Sequence, residues 1–263
     1  MLEIRDLHVK FHTRDREAVS GVSLTIRDGE IVGLVGESGS GKSVTAMSVA
    51  GLLPRKQCTY SGQILLDGAE LLHADRSLLR QVQGKSIGVV FQEPMSAMDP
   101  LMRIGEQVEE VLRLHTDLRR EERKRLALEA LEAVELPDAA SVYGKYPHEL
   151  SGGMLQRAMI AAAIVIRPRL LLLDEPTTAL DVTIQAQILD LLKKLNRESG
   201  VSMLFISHNL NVVRKLCGRV AVMQRGVLVE EGDTDRVFYH PQHPYTQRLI
   251  AAIPTRGRKE GHS

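Results

Sequence analysis

The feature that most constrains the fold is a glycine-rich loop placed directly after a short apolar run. Ile31–Val35 is a continuous apolar segment, which predicts a strand that is buried on both faces. The next residues, GESGSGKS at 36–43, match the pattern GxxxxGK[ST]. A helix is predicted to follow from Ser43 to Leu53, closed by Pro54. Strand, loop and helix in this order favour a phosphate-binding loop over a Gly/Ser-rich turn that matches the pattern by chance.

The chemistry of such a loop assigns roles to its residues. Its backbone N–H groups turn toward phosphate oxygens, and the N-terminus of the following helix adds a positive partial charge. Lys42 is expected to reach the β- and γ-phosphates, and the hydroxyl of Ser43 is expected to hold Mg²⁺. The residues expected to bind a nucleoside triphosphate here are Gly36, Glu37, Ser38, Gly39, Ser40, Gly41, Lys42, Ser43 and Val44.

A second chemical element is an acidic pair at the end of an apolar run, LLLLDEP at 170–176. Asp174 suits Mg²⁺ coordination through water, and Glu175 suits the general base that activates the attacking water. Taken alone, the pair is equally compatible with a solvated loop or a helix cap, but the phosphate loop favours catalysis. His208 follows the predicted strand 203–207 and is expected to contact the γ-phosphate, although a histidine there is also compatible with an ordinary hydrogen-bonded strand end.

Hydrophobic periodicity predicts an α/β fold with a helical insertion. Alternating residues near the N-terminus predict strands, and the region from about 93 to 150 is mainly helical by composition. After it, the α/β pattern returns. The predicted strands cover 2–9, 22–26, 31–35, 62–72, 86–91, 170–173 and 203–206, with a hairpin over 219–231, and the predicted helices cover 43–53, 119–135, 153–166 and 184–195.

Composition excludes several classes of function. The formal net charge of +1 gives no electrostatic basis for binding nucleic acid. The two cysteines, Cys58 and Cys217, are far apart and form no CxxC motif, which argues against a disulfide framework or a zinc site. No run of about 18 apolar residues and no signal-peptide segment is present, so the chain is not expected to cross a membrane itself.

A second anion site is predicted at LSGGMLQR, residues 150–157. Ser151, Gly152 and Gly153 at the start of a helix offer backbone N–H groups to an anion, and Ser151 is also a good helix N-cap. The two roles are compatible. This segment resembles the signature sequence of ABC ATPases, usually written LSGGQ, with Met154 in place of the glutamine.

The resemblance to ABC ATPases covers nearly the whole chain and implies further site residues. Gln92 is similar to the glutamine that links Mg²⁺ to the helical subdomain, and residues 179–181 resemble the D-loop, which implies a nucleotide-site role for Asp181. His208 matches the switch histidine of the family. Phe11 lies where an aromatic residue commonly stacks on adenine, but it ends a strand and could equally belong to the core.

The resemblance also implies an architecture: a phosphate-loop NTPase core of α/β class, with an N-terminal antiparallel β element and a helical subdomain. The expected division is 1–92 and 166–239 for the core, 93–165 for the helical subdomain with the signature motif, and 240–263 for a C-terminal motif and tail.

Family membership would imply partners as well. Two ATPase subunits are expected to sandwich two ATP molecules head to tail, each signature closing on the nucleotide held by the other subunit. The second subunit would be a related ATPase or a copy of this chain, and a heterodimer is the expectation. Two transmembrane permease subunits would dock near residues 92–110, with an extracytoplasmic solute-binding protein in the full system. The chain would then lie at the cytoplasmic face of the cell membrane, with no nucleic-acid partner.

A narrower resemblance points to a cargo class. HPQHPYTQRLIAAIP at 240–254 and EPMSAMDP at 93–100 are similar to motifs in the ATPases of peptide and nickel importers. Met154 and Leu155 resemble the nickel and metallophore branch most closely. Many peptide-importer members carry a cysteine-rich tail where this sequence stops within nine residues of Pro254, so no iron–sulfur cluster is expected and the nickel branch is favoured. His240 and His243 belong to the motif whatever the cargo, and no metal site is expected there.

The expected function is therefore an ATP-hydrolysing subunit that powers an importer for nickel, metal–metallophore complexes, dipeptides or oligopeptides. Three alternatives stay open. An ABC ATPase of DNA repair, chromosome organisation or translation would typically carry a coiled-coil insertion or two ATPase units, and neither is present. A kinase or GTPase lacks the signature, and no guanine-binding NKxD is found. A module that binds ATP without hydrolysing it is opposed by Glu175 and His208, although only an assay excludes it.

Overall fold

Two β-sheets and a set of helices make up the protein in a computed structural model that describes residues 1–178 and 180–252. The strands are β1 (Leu2–Phe11), β2 (Val19–Ile26), β3 (Ile31–Val35), β4 (Cys58–Leu66), β5 (Ala69–Glu70), β6 (Ile87–Val90), β7 (Leu170–Asp174), β8 (Ser202–Ser207), β9 (Arg219–Gln224) and β10 (Val227–Asp233). The helices are α1 (Lys42–Val49), α2 (Arg76–Val82), α3 (Pro94–Ala97), α4 (Ile104–His115), α5 (Arg120–Ala133), α6 (Ala139–Tyr143), α7 (Gly152–Ile164), α8 (Val182–Ser199), α9 (Leu210–Leu216), α10 (Thr234–Tyr239) and α11 (Pro244–Ala251).

The larger sheet has the strand order β10-β9-β3-β8-β7-β6. Strands β9, β3, β8, β7 and β6 run parallel, and β10 is antiparallel to β9. Successive residues of β7 contribute to two different cores, with Leu171 and Leu173 in one and Leu170 and Leu172 in the other. Burial on both faces explains why these strands are continuous apolar runs in the sequence.

The smaller sheet is antiparallel throughout, with the order β2-β1-β4-β5. Its inward residues, among them Leu2, Ile4 and Ile64, share one core with α1 and the larger sheet. The predicted single strand over 62–72 is wrong. The chain instead turns at Asp67 and Gly68, where the φ angles are 51° and 85°, so that β4 and β5 form a hairpin.

Helices α3 to α7 lie between β6 and β7, which are parallel neighbours in the sheet. Parallel neighbours need a crossover connection, and α7, which packs on β6, is the part of this segment that returns to the start of β7. The N-terminus of α7 therefore lies toward the carboxyl edge of the sheet, where β3 and β7 also end.

The predicted fold class, an α/β core with an N-terminal antiparallel β element and a helical subdomain, is confirmed. The proposed boundaries at 92, 165 and 239 stay predictions. After the β9–β10 hairpin the described chain ends with α10 and α11, which the periodicity did not predict. Within residues 1–178 and 180–252, no helix is both long and apolar enough to cross a membrane.

Candidate ATP site

The phosphate loop connects the end of β3 to the start of α1, as the sequence predicts. Gly41 caps α1 in a left-handed conformation, with φ of 108°. A Cβ at this position would lie 2.4 Å from the Ala18 carbonyl oxygen and 2.6 Å from Met223 Cε, so only glycine fits here. The loop is also fixed from the β9–β10 turn, because the N–H of Gly226 donates to the Ser40 carbonyl at 2.9 Å.

Lys42 is buried inside the loop, with 4% of its surface exposed. Its ammonium group donates to the carbonyl oxygens of Gly36, at 2.8 Å, and Glu37, at 2.9 Å. Burial lowers the pKa of Lys42 below its ordinary value, and the carboxylates of Glu175 and Asp174 oppose that shift. The three charged groups expected to act on the phosphates and the water therefore form one electrostatic cluster.

Ser43 and Asp174 meet at the first turn of α1, where the Ser43 hydroxyl donates to Asp174 Oδ1 at 3.0 Å. Burial raises the pKa of Asp174, against the Ser43 hydrogen bond and the charge of Lys42. In the described part of the chain, no three His, Cys, Asp or Glu side chains converge as a metal site. One hydroxyl and one carboxylate fit Mg²⁺, which binds few protein oxygens and takes its other ligands from phosphates and water.

Glu175 follows β7 in a left-handed conformation, with φ of 48°, that is uncommon for a residue other than glycine. Its N–H donates to the Ile206 carbonyl at 3.0 Å, so the end of β8 holds it in place. Glu175 Oε2 accepts a hydrogen bond from the Thr178 hydroxyl and lies 2.9 Å from His208 Nδ1. The carboxylate is 14% exposed, whereas the His208 side chain is 55% exposed.

The residues of the predicted second anion site lie elsewhere on the chain. The Ser151 hydroxyl accepts from the Met154 N–H at 3.3 Å and so caps α7. Gly153 packs against the start of α8 so closely that a Cβ would lie 2.8 Å from Ile184 Cγ2. Asp181 caps α8 itself. Within 1–178 and 180–252, no hydrogen bond joins Ser151–Gly153 or Asp181 to the phosphate loop.

Two predicted site residues, Gln92 and Phe11, form no hydrogen bond between their side chains and the cluster of Lys42, Asp174 and Glu175 in the described residues. Gln92 is exposed just beyond β6, and its side chain forms no hydrogen bond to any described residue. Phe11 ends β1 opposite Cys58 and is partly buried against the core between the two sheets. Ala179 and residues 253–263, which include part of the expected D-loop and the end of the C-terminal motif, lie outside the described residues.

Sequence reasoning missed two contacts of the site. Thr178 supports Glu175 from three residues downstream, a turn spacing that could have been recognised in DEPTT. Tyr245 accepts a hydrogen bond from the Glu37 N–H at 3.0 Å, although the two residues are 208 positions apart. No local pattern indicates that second contact.

Comparison with known proteins identifies the family. Residues 19–178, more than half of the chain, match the family described as ABC transporter. The chain belongs to the ABC transporter family. This ABC ATPase also matches, over residues 229–262, the family described as oligopeptide/dipeptide transporter, C-terminal region.

Individual relatives agree with this membership. The ABC ATPase is 50% identical to a probable D,D-dipeptide transport ATP-binding protein of Escherichia coli K12, over 98% of this chain and 79% of that one. It is 45% identical to an oligopeptide transport ATP-binding protein of Bacillus subtilis 168, over 97% of this chain and 72% of that one.

A solved structure resembles the fold closely. It is a dimer of the ATP-binding cassette MJ0796 in a post-hydrolysis state with ADP and Pi, with a TM-score of 0.80, 32% identity, and coverage of 89% of this chain and 99% of that one. This protein is thus an ABC-type ATPase that binds and hydrolyses ATP.

Proposed function

We propose that this ABC ATPase powers the import of peptides or dipeptides across a membrane. The observation that carries the proposal is the match over residues 229–262 to the C-terminal region of oligopeptide/dipeptide transporters. The names of the two relatives above support the same cargo class. An ABC ATPase of DNA repair or translation has no evident reason to carry this C-terminal region.

Hydrolysis is assigned to the cluster at the ends of β3, β7 and β8. Glu175 takes the proton of the attacking water, and the left-handed backbone together with Thr178 fixes the direction of its carboxylate. His208, hydrogen-bonded to the same oxygen, is placed to contact the γ-phosphate. Lys42 leaves the Gly36 and Glu37 carbonyls to pair with the β- and γ-phosphates.

Ser43 and Asp174 would hold Mg²⁺ together with the nucleotide, and Gln92 is proposed as a third protein contact. When bound, the ion neutralises charge on the β- and γ-phosphate oxygens. Phe11 is proposed to stack on adenine through the part of its ring that is not packed in the core.

The second anion site is proposed to act on the nucleotide of a partner subunit. Ser151 and Gly152 are exposed at the N-terminus of α7, and among the described residues neither is hydrogen-bonded to the phosphate loop of its own chain. The dimeric state of the MJ0796 cassette supports this arrangement. Asp181 lies beside it at the start of α8. The partner is a related ATPase subunit or a second copy of this chain, with the heterodimer as the preferred form.

Permease docking is proposed at a groove of about 340 Å³ between β6 and helices α3, α4 and α7. Phe91, Met98 and Met159 line it, and Met95 and Leu101 nearby expose 54% and 85% of their surfaces. An apolar groove next to Gln92 suits the coupling of ATP binding to a membrane partner. Two permease subunits, a solute-binding protein outside the membrane and a position on the cytoplasmic membrane face complete the proposed system.

Uptake by cells that express the complete transporter tests the cargo. We expect a labelled dipeptide to accumulate with the wild-type chain and not with Lys42→Ala. Labelled Ni²⁺ is measured in parallel, because Met154 and Leu155 favour the nickel branch by resemblance. Accumulation of Ni²⁺ with no accumulation of a series of di- and oligopeptides would overturn the peptide cargo and support nickel.

A further inference from the structure

Among the described residues of the C-terminal segment, 240–252, Tyr245 forms a polar contact with the phosphate loop. The N–H of Glu37, the second residue of the loop, donates to the Tyr245 hydroxyl oxygen at 3.0 Å. Tyr245 lies in the first turn of α11 and is 3% exposed, with its ring in the core that also contains Val237 and Phe238. Packing in this core needs only the aromatic ring of Tyr245. The hydroxyl group adds a specific hydrogen bond to a backbone N–H of the loop.

The start of α11 is itself held firmly by β10. The carboxylate of Glu230 accepts from the N–H groups of Gln242, at 2.8 Å, and His243, at 3.0 Å. His243 Nδ1 in turn accepts from the Tyr245 N–H at 3.2 Å. Burial raises the pKa of Glu230, but these amide donors outweigh it and lower the pKa below its ordinary value. Tyr245 is therefore presented to the loop from an anchored helix start.

On the loop side, Glu37 is the residue that links this contact to the ammonium group of Lys42. The Glu37 carbonyl accepts from Lys42 Nζ at 2.9 Å and from the Ser40 N–H at 3.2 Å. With its N–H bonded to Tyr245, Glu37 has both backbone polar groups occupied. The hydrogen bond from the Glu37 N–H to Tyr245 thus helps the C-terminal segment to hold the peptide groups at the start of the loop in one orientation.

We propose that Tyr245 is a positioning residue for the phosphate loop, so that residues 240–252 form part of the ATP site of their own chain. The inference rests on the proposed role of the loop in binding ATP. Its consequence is that nucleotide affinity depends on a hydroxyl group on α11 that acts through the Glu37 N–H.

The test is Tyr245→Phe in the full chain, which keeps the ring and removes only the hydroxyl. We expect MgATP and MgADP to bind about fivefold more weakly, the ratio expected for one hydrogen bond of ordinary strength. Hydrogen exchange at residues 36–41 should be faster without nucleotide, while the midpoint of thermal unfolding stays close to wild type. Tyr239→Phe is the matched control, because the Tyr239 hydroxyl bonds to Arg214 on an exposed surface.

Unchanged affinity and unchanged exchange in Tyr245→Phe would overturn the proposal, and so would a loss of thermal stability without either change, which would indicate packing alone. If Tyr245→Phe fails to fold, Glu230→Gln is the second variant; it loosens the anchor of α11 and should shift both readouts in the same direction. A wild-type chain that binds no ATP would contradict the proposed function, whereas the exchange comparison would still report on the Tyr245 contact.

Discussion

The ammonium group of Lys42 donates hydrogen bonds to the carbonyl oxygens of Gly36 and Glu37 in its own loop. A buried ammonium group needs such acceptors, because burial disfavours the charged form. Lys42 therefore helps to fix the shape of the loop, and its contact with the phosphates of ATP is the second, proposed contribution.

Replacement of this side chain tests both contributions. Lys42→Ala should reduce ATP hydrolysis by about 100-fold or more, the effect of removing one preorganised charged donor from a developing anion. Steady-state phosphate release in the assembled transporter measures it, with Lys193→Ala on the exposed face of α8 as the control. Turnover near the wild-type rate in Lys42→Ala would contradict the assignment of the phosphate loop.

A second charged group, partly buried, lies away from the site. Glu30 accepts two hydrogen bonds from Arg219, at 2.8 and 3.0 Å, and joins the start of β3 to the start of β9. Burial raises the pKa of Glu30, but Arg219 and the Arg27 N–H outweigh it and lower the pKa below its ordinary value of 4.5. A depressed pKa means that the charged form stabilises the fold.

This pair predicts a pH-dependent stability. Glu30→Gln should lower the free energy of unfolding by about 1–2 kcal/mol at pH 7, since a charged hydrogen-bond acceptor is lost. The wild-type advantage is complete above the ordinary pKa and disappears as the pH falls through the lowered pKa of the folded state. Urea unfolding of both proteins at pH 7 and at a series of pH values that descends from 4.5 measures the difference. If the difference in the free energy of unfolding between wild type and Glu30→Gln does not depend on pH, the charge of Glu30 does not contribute to stability. Glu198→Gln, on an exposed stretch of α8, is the control.

At the scale of elements, the strongest sequence patterns predicted the strands best. Buried parallel strands such as β7 and β8 are short apolar runs in the sequence, and this local pattern is enough to predict them. Helix ends were harder to predict. The helix α1 was predicted to reach Leu53 but ends at Val49, because Gly51, with φ of 67°, accepts a left-handed conformation and the Leu52 N–H bonds back to the Met47 carbonyl.

The site shows the same division between local and distant information. The phosphate loop and the pair at Asp174 and Glu175 lie in short motifs, so the sequence alone predicts their roles, and the structure shows the geometry around them. The support that Tyr245 gives to Glu37 depends on how α11 packs, and no pattern within either segment indicates it. The roles of Gln92, Phe11, Ser151–Gly153 and Asp181 depend on a nucleotide or a partner and stay predictions.

Asp181 is the N-cap of α8, and two substitutions can distinguish this structural role from a functional one. Asp181 Oδ1 accepts from the N–H groups of Thr183 and Ile184, at 3.0 and 2.9 Å. Asp181→Ala should destabilise the protein by about 1 kcal/mol in urea unfolding, whereas Asp181→Asn should preserve the cap and the stability. If Asp181 also serves the dimer interface, Asp181→Asn should retain stability and lose ATPase activity. Full ATPase activity in Asp181→Asn would show that the carboxylate of Asp181 is not needed for activity and that the residue serves only as the N-cap of α8.

At the scale of the whole molecule, the chain carries two helix N-termini suited to anions, at α1 and at α7. They lie toward the same edge of the larger sheet but are not joined by hydrogen bonds in the described residues. One subunit therefore presents a phosphate loop and, at the start of α7, the proposed second anion site. A head-to-tail dimer would use both.

Such a dimer predicts a trapped state. Glu175→Gln removes the base but keeps a side chain of the same shape, so ATP should bind, hydrolysis should fall by a factor of about 100 or more, and the closed dimer should accumulate. Light scattering of the subunits with MgATP measures the dimer, and phosphate release measures the turnover. Unchanged turnover would show that Glu175 is not the base. Ser151→Arg in the same background should prevent the dimer by placing bulk at the second anion site.

The strands β6 and β7 are adjacent, although helices α3 to α7 separate them in sequence. The whole helical segment is thus one enlarged version of a single strand-to-strand connection. A change within α4 to α6 that keeps the packing of α7 on β6 is expected to leave the register of the sheet unaltered, and with it the arrangement of Lys42, Asp174 and Glu175. A chimeric protein that exchanges α4 to α6 and keeps α7 should therefore retain its ATP site and change the surface that it offers to a proposed partner.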